Sequence, residues 1–483
     1  MDDRMTEAGT RLEALERRAR HDLDCVDYPA REWVSRRTHE GQPVVDVVIV
    51  GGGQSGTSLA FRLMRERITN IRVLERNPAG QEGPWVTFAR MRTLRTPKGV
   101  SGPEFGIPSL SVRAWWEAKF GEDSWGDLGR IPKELWNDYL KWLRGVSGIP
   151  IENGVEVTGI EPLSDDLFAV TVTKKGTPER ILARNVVLAT GIEGCGRWII
   201  PEMFSDVLPR KAYAHTSERI DFTALAGKRI AVIGAGASAF DNAAEALEHG
   251  AASVDLFVRR RQIPTVNPNR WMEFAGFMRH FGDLDDARKW RFVKTIFDRN
   301  QPPPQDTYER CARFPSFAMH TGSPVLSVAY EDGKAVLTTP TGAGRYDFVI
   351  IGTGFGVDFA ARPELSRFAG EIATWSDRYQ PPAGEEHAQL GGYPYLSDCF
   401  QFTEKTPGAA PYLRHIFSYT YAAMPSLAGS AGISALKFGL DRLSRGITRE
   451  LFLADADTYY ESLAAYGEIE LTLPQTDAER QAS

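Results

Sequence analysis

Two stretches of small residues carry the first chemical signal in this chain. Gly51, Gly53 and Gly56 form a Gly-x-Gly-x-x-Gly turn with Gln54 and Ser55 inside it. Gly51 permits a tight turn, Gly53 lets the backbone approach a pyrophosphate, and Gly56 lets a helix lie close to a strand. A helix starting there offers unpaired N–H groups and partial positive charge to phosphates. Glu75, roughly 20 residues past the first glycine, stands where a carboxylate accepts hydrogen bonds from ribose hydroxyls, and Arg76 follows it. The second stretch is Gly234, Gly236, Ala237 and Ser238, with Ala239 in the third glycine's place. Here the acid is gone: Val258 holds its position, and Arg259, Arg260 and Arg261 follow. A carboxylate would repel a ribose 2′-phosphate, whereas guanidinium groups hold it. One acidic and one basic ribose site predict two dinucleotides, FAD at the first turn and NADPH at the second.

The elements around these turns are those such sites need. Val44–Val50 reads as a buried parallel strand, followed by helix from Thr57 to about Arg67 and a strand from Ile71 to Leu74. The pattern returns as a strand at Arg229–Ile233, an alanine-rich helix through about Glu248, and a strand at Ser253–Val258. Two more apolar strands run into small-residue turns, one at Thr190 and Gly191 and one at Thr353 and Gly354. The expected fold is α/β, with two Rossmann-like dinucleotide-binding domains, the NADPH domain inserted into the FAD domain, and a helical insertion. In boundaries, residues 1–40 are a helical arm, with Leu12, Leu15, Ala19 and Leu23 as its apolar stripe. Residues 41–205 are the first part of the FAD domain. Residues 206–355 are the NADPH domain, with an aromatic-rich insertion at about 262–325. Residues 356–483 complete the FAD domain and end in helices, one from Gly432 to about Arg445 and another from Thr448 to about Ala465. The start of that first helix, at Gly432, is expected at the flavin, where its dipole would favour negative charge on the reduced ring.

Composition excludes several classes. Of 483 residues, 42% are apolar and 25% charged, ordinary values for a chain with ample core. A net charge of −6, spread along the chain, gives no pull toward nucleic acid. No apolar run reaches the roughly 20 residues of a membrane span, and the opening Met1-Asp2-Asp3-Arg4 lacks the apolar stretch expected of a signal peptide. Four scattered cysteines and eight histidines show neither a dithiol pair nor clustered metal ligands, so no metal is expected. Free thiols place the protein in a reducing cytoplasm. Reduced flavin passes electrons to a disulfide, another carrier or dioxygen, and the missing cysteine pair disfavours the first.

The order of these motifs resembles the flavin-dependent monooxygenases that use NADPH: multi-substrate flavin monooxygenases, Baeyer–Villiger monooxygenases and N-hydroxylating monooxygenases. The likeness runs from about residue 44 to 445. Gly83-Pro84-Trp85 is similar to that family's Gly-x-Trp segment near the flavin, and the Thr190–Gly191 and Thr353–Gly354 turns are similar to its paired linkers. The resemblance implies that NADPH reduces FAD, that O2 adds to it, and that a C4a-(hydro)peroxyflavin oxygenates a small molecule. Nitrogen or sulfur is the expected target, with Baeyer–Villiger attack on a ketone and an NADPH oxidase or reductase as alternatives. His215 matches the histidine of the family's linker fingerprint, but Pro209 and Lys211 replace its Phe and Gly, which weakens the Baeyer–Villiger reading. Arg95 and Lys98, on a loop expected to face the flavin, join His215 as candidate catalytic residues. A homodimer is also open.

Overall fold

The computed structural model describes residues 2–26, 31–100, 102–428 and 432–472. The strand Gln42–Val50 is buried along its second half because its β-branched residues face covered layers on both sides. It pairs in parallel with Ile71–Glu75 on one side and Thr177–Leu188 on the other, with Val50 opposite Leu74 and Leu188. Ile151–Asn153 extends one edge, and an antiparallel meander, Val155–Ser164 and Leu167–Lys174, forms the other. Ile416–Ser418 returns from far along the chain to lie parallel to Thr177–Leu188.

The second sheet is wholly parallel, in the order Phe317–Thr321, Ser253–Val258, Arg229–Ile233, Phe348–Ile351 and Tyr213–His215. Its strands all lie between the chain's departure from the first sheet at Leu188 and its return at Ile416. That is an insertion of one doubly wound module into another. The two connections meet as they cross: Gly196–Trp198 pairs antiparallel with Phe355–Val357.

Helix positions differ from expectation in two places. The first-turn helix spans Gln54–Arg65, three residues earlier than read, because extended Gly53 caps it. At the C-terminal end, a 3-10 turn at Ile433–Ala435 precedes one long helix, Leu436–Ala454, which runs through Gly446 without a break. A Cβ at Gly446 would lie 2.6 Å from the Cys399 Cβ, so the glycine serves close packing. The helix packs along Gln54–Arg65, where Arg62 meets Asp441 at 3.2 Å and Ser444 at 3.3 Å.

The N-terminal helix, Asp2–Cys25, buries Ala19 and Leu23 against the body, and its Arg11 donates to the Ala118 carbonyl at 2.9 Å. Between Val258 and Phe317 lie the helices Pro268–Trp271, Ala275–His280, Asp286–Arg299 and Gln305–Ala312. They divide between the modules. Phe277, Phe281, Trp290 and Val293 join the core of the first sheet, whereas Cys311 joins that of the second. Among the described residues no helix is long and apolar enough to cross a membrane.

Candidate functional site

At the carboxyl ends of the first sheet's strands lies a cavity of about 440 Å³. This is where open α/β sheets bind ligands. Gly51, Gly53, Gln54, Ser55, Glu75, Arg76, Trp85, Thr190 and Gly191 all line it, so the first-module residues singled out by sequence converge. Gly51 has φ +107°, and a Cβ there would lie 2.5 Å from the Ala189 carbonyl oxygen. Gly56 lies beneath the turn, where a Cβ would stand 1.9 Å from the Gly51 oxygen. These contacts bring turn, helix and linker closer than any side chain permits.

Glu75 is buried, and its carboxylate accepts from the Gly52 N–H at 2.9 Å and the Asn77 N–H at 2.8 Å. It therefore fixes the glycine turn while lining the cavity. The buried Trp85 Nε1–H has no partner among the described residues, although its ring lines the cavity. A bare glycine turn, a helix N-terminus, a carboxylate and an unspent N–H donor fit the pyrophosphate and ribose of a dinucleotide.

Residues that spacing did not reveal complete the walls. Phe88 and Trp198 pack edge to face with centroids 6.0 Å apart, and Ser217 and Arg219 reach in from the linker. Arg362 bridges to Glu364 at 2.6 Å and to Glu193 at 3.7 Å, and Arg76 approaches Glu193 at 3.5 Å. Burial raises the pKa of Glu193, with both arginines opposing it. These walls come from linkers scattered along the chain, and no motif marks them.

In the second module Gly234 has φ +125°, and Gly236 has open space where a Cβ would be. Ala237 and Ser238 open the helix Ala237–Glu248. Arg259 and Arg260 are exposed just beyond the strand Ser253–Val258, on the same side as the turn. The module presents phosphate donors and cations as a 2′-phosphorylated dinucleotide requires.

The candidate catalytic residues are placed apart from the cavity. Arg95 bridges to Asp241 of the second module at 3.0 Å. Lys98 donates to the carbonyls of Trp125 and Gly126 and lies over the Trp125 ring. Neither lines the cavity. His215 is buried at the end of its strand, 5.2 Å from the ring of cavity-lining Trp198. Its Nδ1 accepts from the Ser217 N–H at 3.2 Å and lies 2.8 Å from the Ser217 hydroxyl, which leaves the proton on Nε2. Burial lowers its pKa against the pull of Glu218 and the Gly354 carbonyl, so the ring is neutral near pH 7. Of the two linker turns, only Thr190–Gly191 lines the cavity. Thr353 and Gly354 instead bind Ile199, through the Thr353 hydroxyl and the Gly354 carbonyl. Gly432 caps the 3-10 turn and is not among the lining residues.

A hollow of about 600 Å³ at the opposite end of the first sheet involves Arg37, Asp166 and Arg184. Its buried Arg184 is matched by Asp455 at 3.2 Å and Asp46 at 3.6 Å, so the charge there is spent internally.

Residues 48–275 match the family model described as pyridine nucleotide-disulphide oxidoreductase. Among curated proteins, the chain is 44% identical over 460 residues to the FAD-dependent urate hydroxylase of Xanthomonas campestris pv. campestris, covering 95% of this chain and 97% of that protein. It belongs to the flavin-dependent monooxygenase family. Solved structures of similar fold include the ornithine N-hydroxylase of Kutzneria sp. 744, with a TM-score of 0.65 at 18% identity over 84% of this chain and 100% of that one. The L-lysine 6-monooxygenase of Pseudomonas syringae gives a TM-score of 0.58 at 20% identity over 84% of this chain and 99% of that one. The urate hydroxylase is named as FAD-dependent, and the Kutzneria structure holds reduced FAD and NADP+. The four cysteines of this chain are all free, Cys25 exposed and Cys195, Cys311 and Cys399 buried. Burial pushes the thiols of Cys195 and Cys399 up to about 11. These two buried thiols are packing residues.

Proposed function

We propose that this cytoplasmic monooxygenase uses NADPH and O2 to hydroxylate urate or a purine of the same oxidised shape. The observation that carries this reading is the 44% identity to a urate hydroxylase across nearly the full length of both chains. When bound, the flavin supplies the oxygen chemistry: it takes electrons from the nicotinamide and activates O2. The protein's residues do the holding. The Gly51–Gly56 turn cradles the flavin dinucleotide's pyrophosphate, Glu75 takes its ribose, and Trp85, Thr190 and Gly191 wall its path. The Gly234–Ser238 turn and Arg259 with Arg260 hold the nicotinamide cofactor by its phosphates. Overall, urate, O2, NADPH and a proton become hydroxylated urate, NADP+ and water. In this reading the oxygen goes to a purine carbon, in place of the nitrogen or sulfur that the resemblance implies.

The test supplies the FAD-loaded enzyme with NADPH, O2 and one candidate at a time, and measures candidate, NADPH and hydrogen peroxide together. Urate should be consumed one for one with NADPH, with little peroxide. Consumption of ornithine, lysine or cadaverine with urate inert would replace the reading by N-oxygenation. Peroxide equal to NADPH whatever is offered would replace it by an oxidase.

A further inference from the structure

The helix that opens at the second glycine turn carries three acids on one face, Asp241, Glu245 and Glu248, at spacings of four and three. Two of them are gripped by the first module. Arg95 meets Asp241 at 3.0 Å and Arg92 meets Glu248 at 2.9 Å. Both arginines lie on the loop that follows Trp85, so these bridges cross between the modules.

The other flank belongs to the helix Gln305–Ala312. Its Thr307 hydroxyl donates to Asp241 at 3.1 Å, and Arg310 binds Glu245 at 2.7 Å and Glu248 at 2.8 Å. Arg310 also reaches the Arg90 carbonyl at 3.5 Å, and Arg270 donates to the Arg95 carbonyl at 2.5 Å. Asp241 is nearly sealed, with its side chain 3% exposed, against 32% for Arg95. A fully exposed pair would be screened and would hold little. A buried carboxylate must keep its partner, so the bridge defines one position of the loop. Asp241 stands one helical turn after Ala237, so the bridge and the phosphate turn share one rigid segment.

We propose that the Arg95–Asp241 bridge locks the second module against the first, making Asp241 a positioning residue for electron delivery between their two dinucleotides. This rests on the reading above, with FAD in the first module and NADPH in the second. The step it serves moves two electrons and a proton, as hydride, from the nicotinamide to the flavin. The nicotinamide is oxidised and the flavin reduced. Such a transfer depends steeply on distance and alignment, and a shift of about 1 Å costs on the order of 100-fold.

The test compares FAD-loaded wild type with Asp241→Asn, Arg95→Ala, Arg95→Lys and the double variant Arg95→Ala/Asp241→Asn. Arg345→Ala, which removes the exposed 2.9 Å pair with Asp332, serves as the control. Hydrogen exchange is read without nicotinamide, NADP+ affinity by calorimetry, and flavin reduction by anaerobic mixing with NADPH. Asp241→Asn and Arg95→Ala should speed exchange in residues 90–98 and 237–248. They should leave NADP+ affinity within about twofold and slow reduction at saturating NADPH by about 10- to 100-fold. The double variant should be no slower than the slower single one, and Arg95→Lys should recover part of the rate. Unchanged exchange and reduction, additive losses, or a loss of NADP+ affinity in place of rate would overturn the proposal. If Asp241→Asn fails to fold, Arg95→Ala, on the more exposed partner, decides by the same criteria. A wild-type flavin that NADPH does not reduce would overturn the underlying reading itself, and the proposal with it.

Discussion

Glu75 joins two tasks in one carboxylate, pinning the Gly52 and Asn77 amides while facing the cavity. Glu75→Gln should therefore lower the FAD content of the purified protein, read from the ratio of flavin to protein absorbance, and full occupancy would move the ribose contact elsewhere. Arg259 and Arg260 are exposed and so available to a ligand. Replacing both by Ala should raise KM for NADPH about 10- to 150-fold more than for NADH, the worth of a charged hydrogen bond of about 1.5–3 kcal/mol. Equal weakening of both cofactors would show that the arginines do not read the 2′-phosphate. His415 is buried outside the cavity lining, and its titration should contribute to acid stability. Its Nδ1 lies 3.0 Å from the side-chain Oδ1 of Asn185, and its Nε2 accepts from Arg414 at 3.1 Å. Burial first, then Arg414, lower its pKa from 6.5 to about 4. Below pH 6.5 the unfolded chain binds a proton that the native site refuses, so stability falls as pH drops toward 4, by about 3 kcal/mol in all. His415→Gln should flatten the dependence of Tm on pH across that window, and an unchanged slope would assign the acid loss to other groups.

The two glycine turns solve one packing problem in two ways. In the first module a glycine, Gly56, lies under the turn and the linker residue is Ala189; in the second these places hold Ala239 and Gly352. A Cβ on Gly51 would strike the Ala189 oxygen at 2.5 Å, and one on Gly234 would strike the Gly352 oxygen at 2.3 Å, so the positions correspond. A Cβ on Gly352 would stand 2.9 Å from the Ala239 Cβ. Ala239 in the third glycine's place is visible in the sequence, but its compensation by Gly352 is visible only once strand and helix are brought together. Gly352→Ala should destabilise by about 1–3 kcal/mol, as overpacking does, measured by denaturant unfolding. Adding Ala239→Gly should recover most of it, and a second equal loss would show that the two positions do not share the space. The long helix Leu436–Ala454 teaches the same lesson. Sequence reading ended one helix near Arg445 and began the next at Thr448, whereas the chain runs on as one helix whose packing against Cys399 and Phe417 requires a glycine at Gly446.

Across the whole molecule, what could be read from sequence was what is local in sequence. Each glycine turn, with its strand and helix, lies within one short segment, so its position was legible. The remaining cavity wall was not, because Phe88, Trp198, Arg219 and Arg362 come from separate linkers and meet only in the folded chain. Arg95 was legible as a cation near the flavin module but not as a partner of Asp241, because that pairing depends on how the modules dock. The aromatic insertion announced a core without saying whose, and it spans the two modules with Phe281 and Trp290 in one and Cys311 in the other. The most direct test of the central claim is the fate of oxygen. The FAD-loaded enzyme turns over urate and NADPH under 18O2, and mass spectrometry reads the product formed at early times. One 18O atom in the hydroxylated purine is the predicted result. Unlabelled product, or intact urate with labelled hydrogen peroxide, would contradict it.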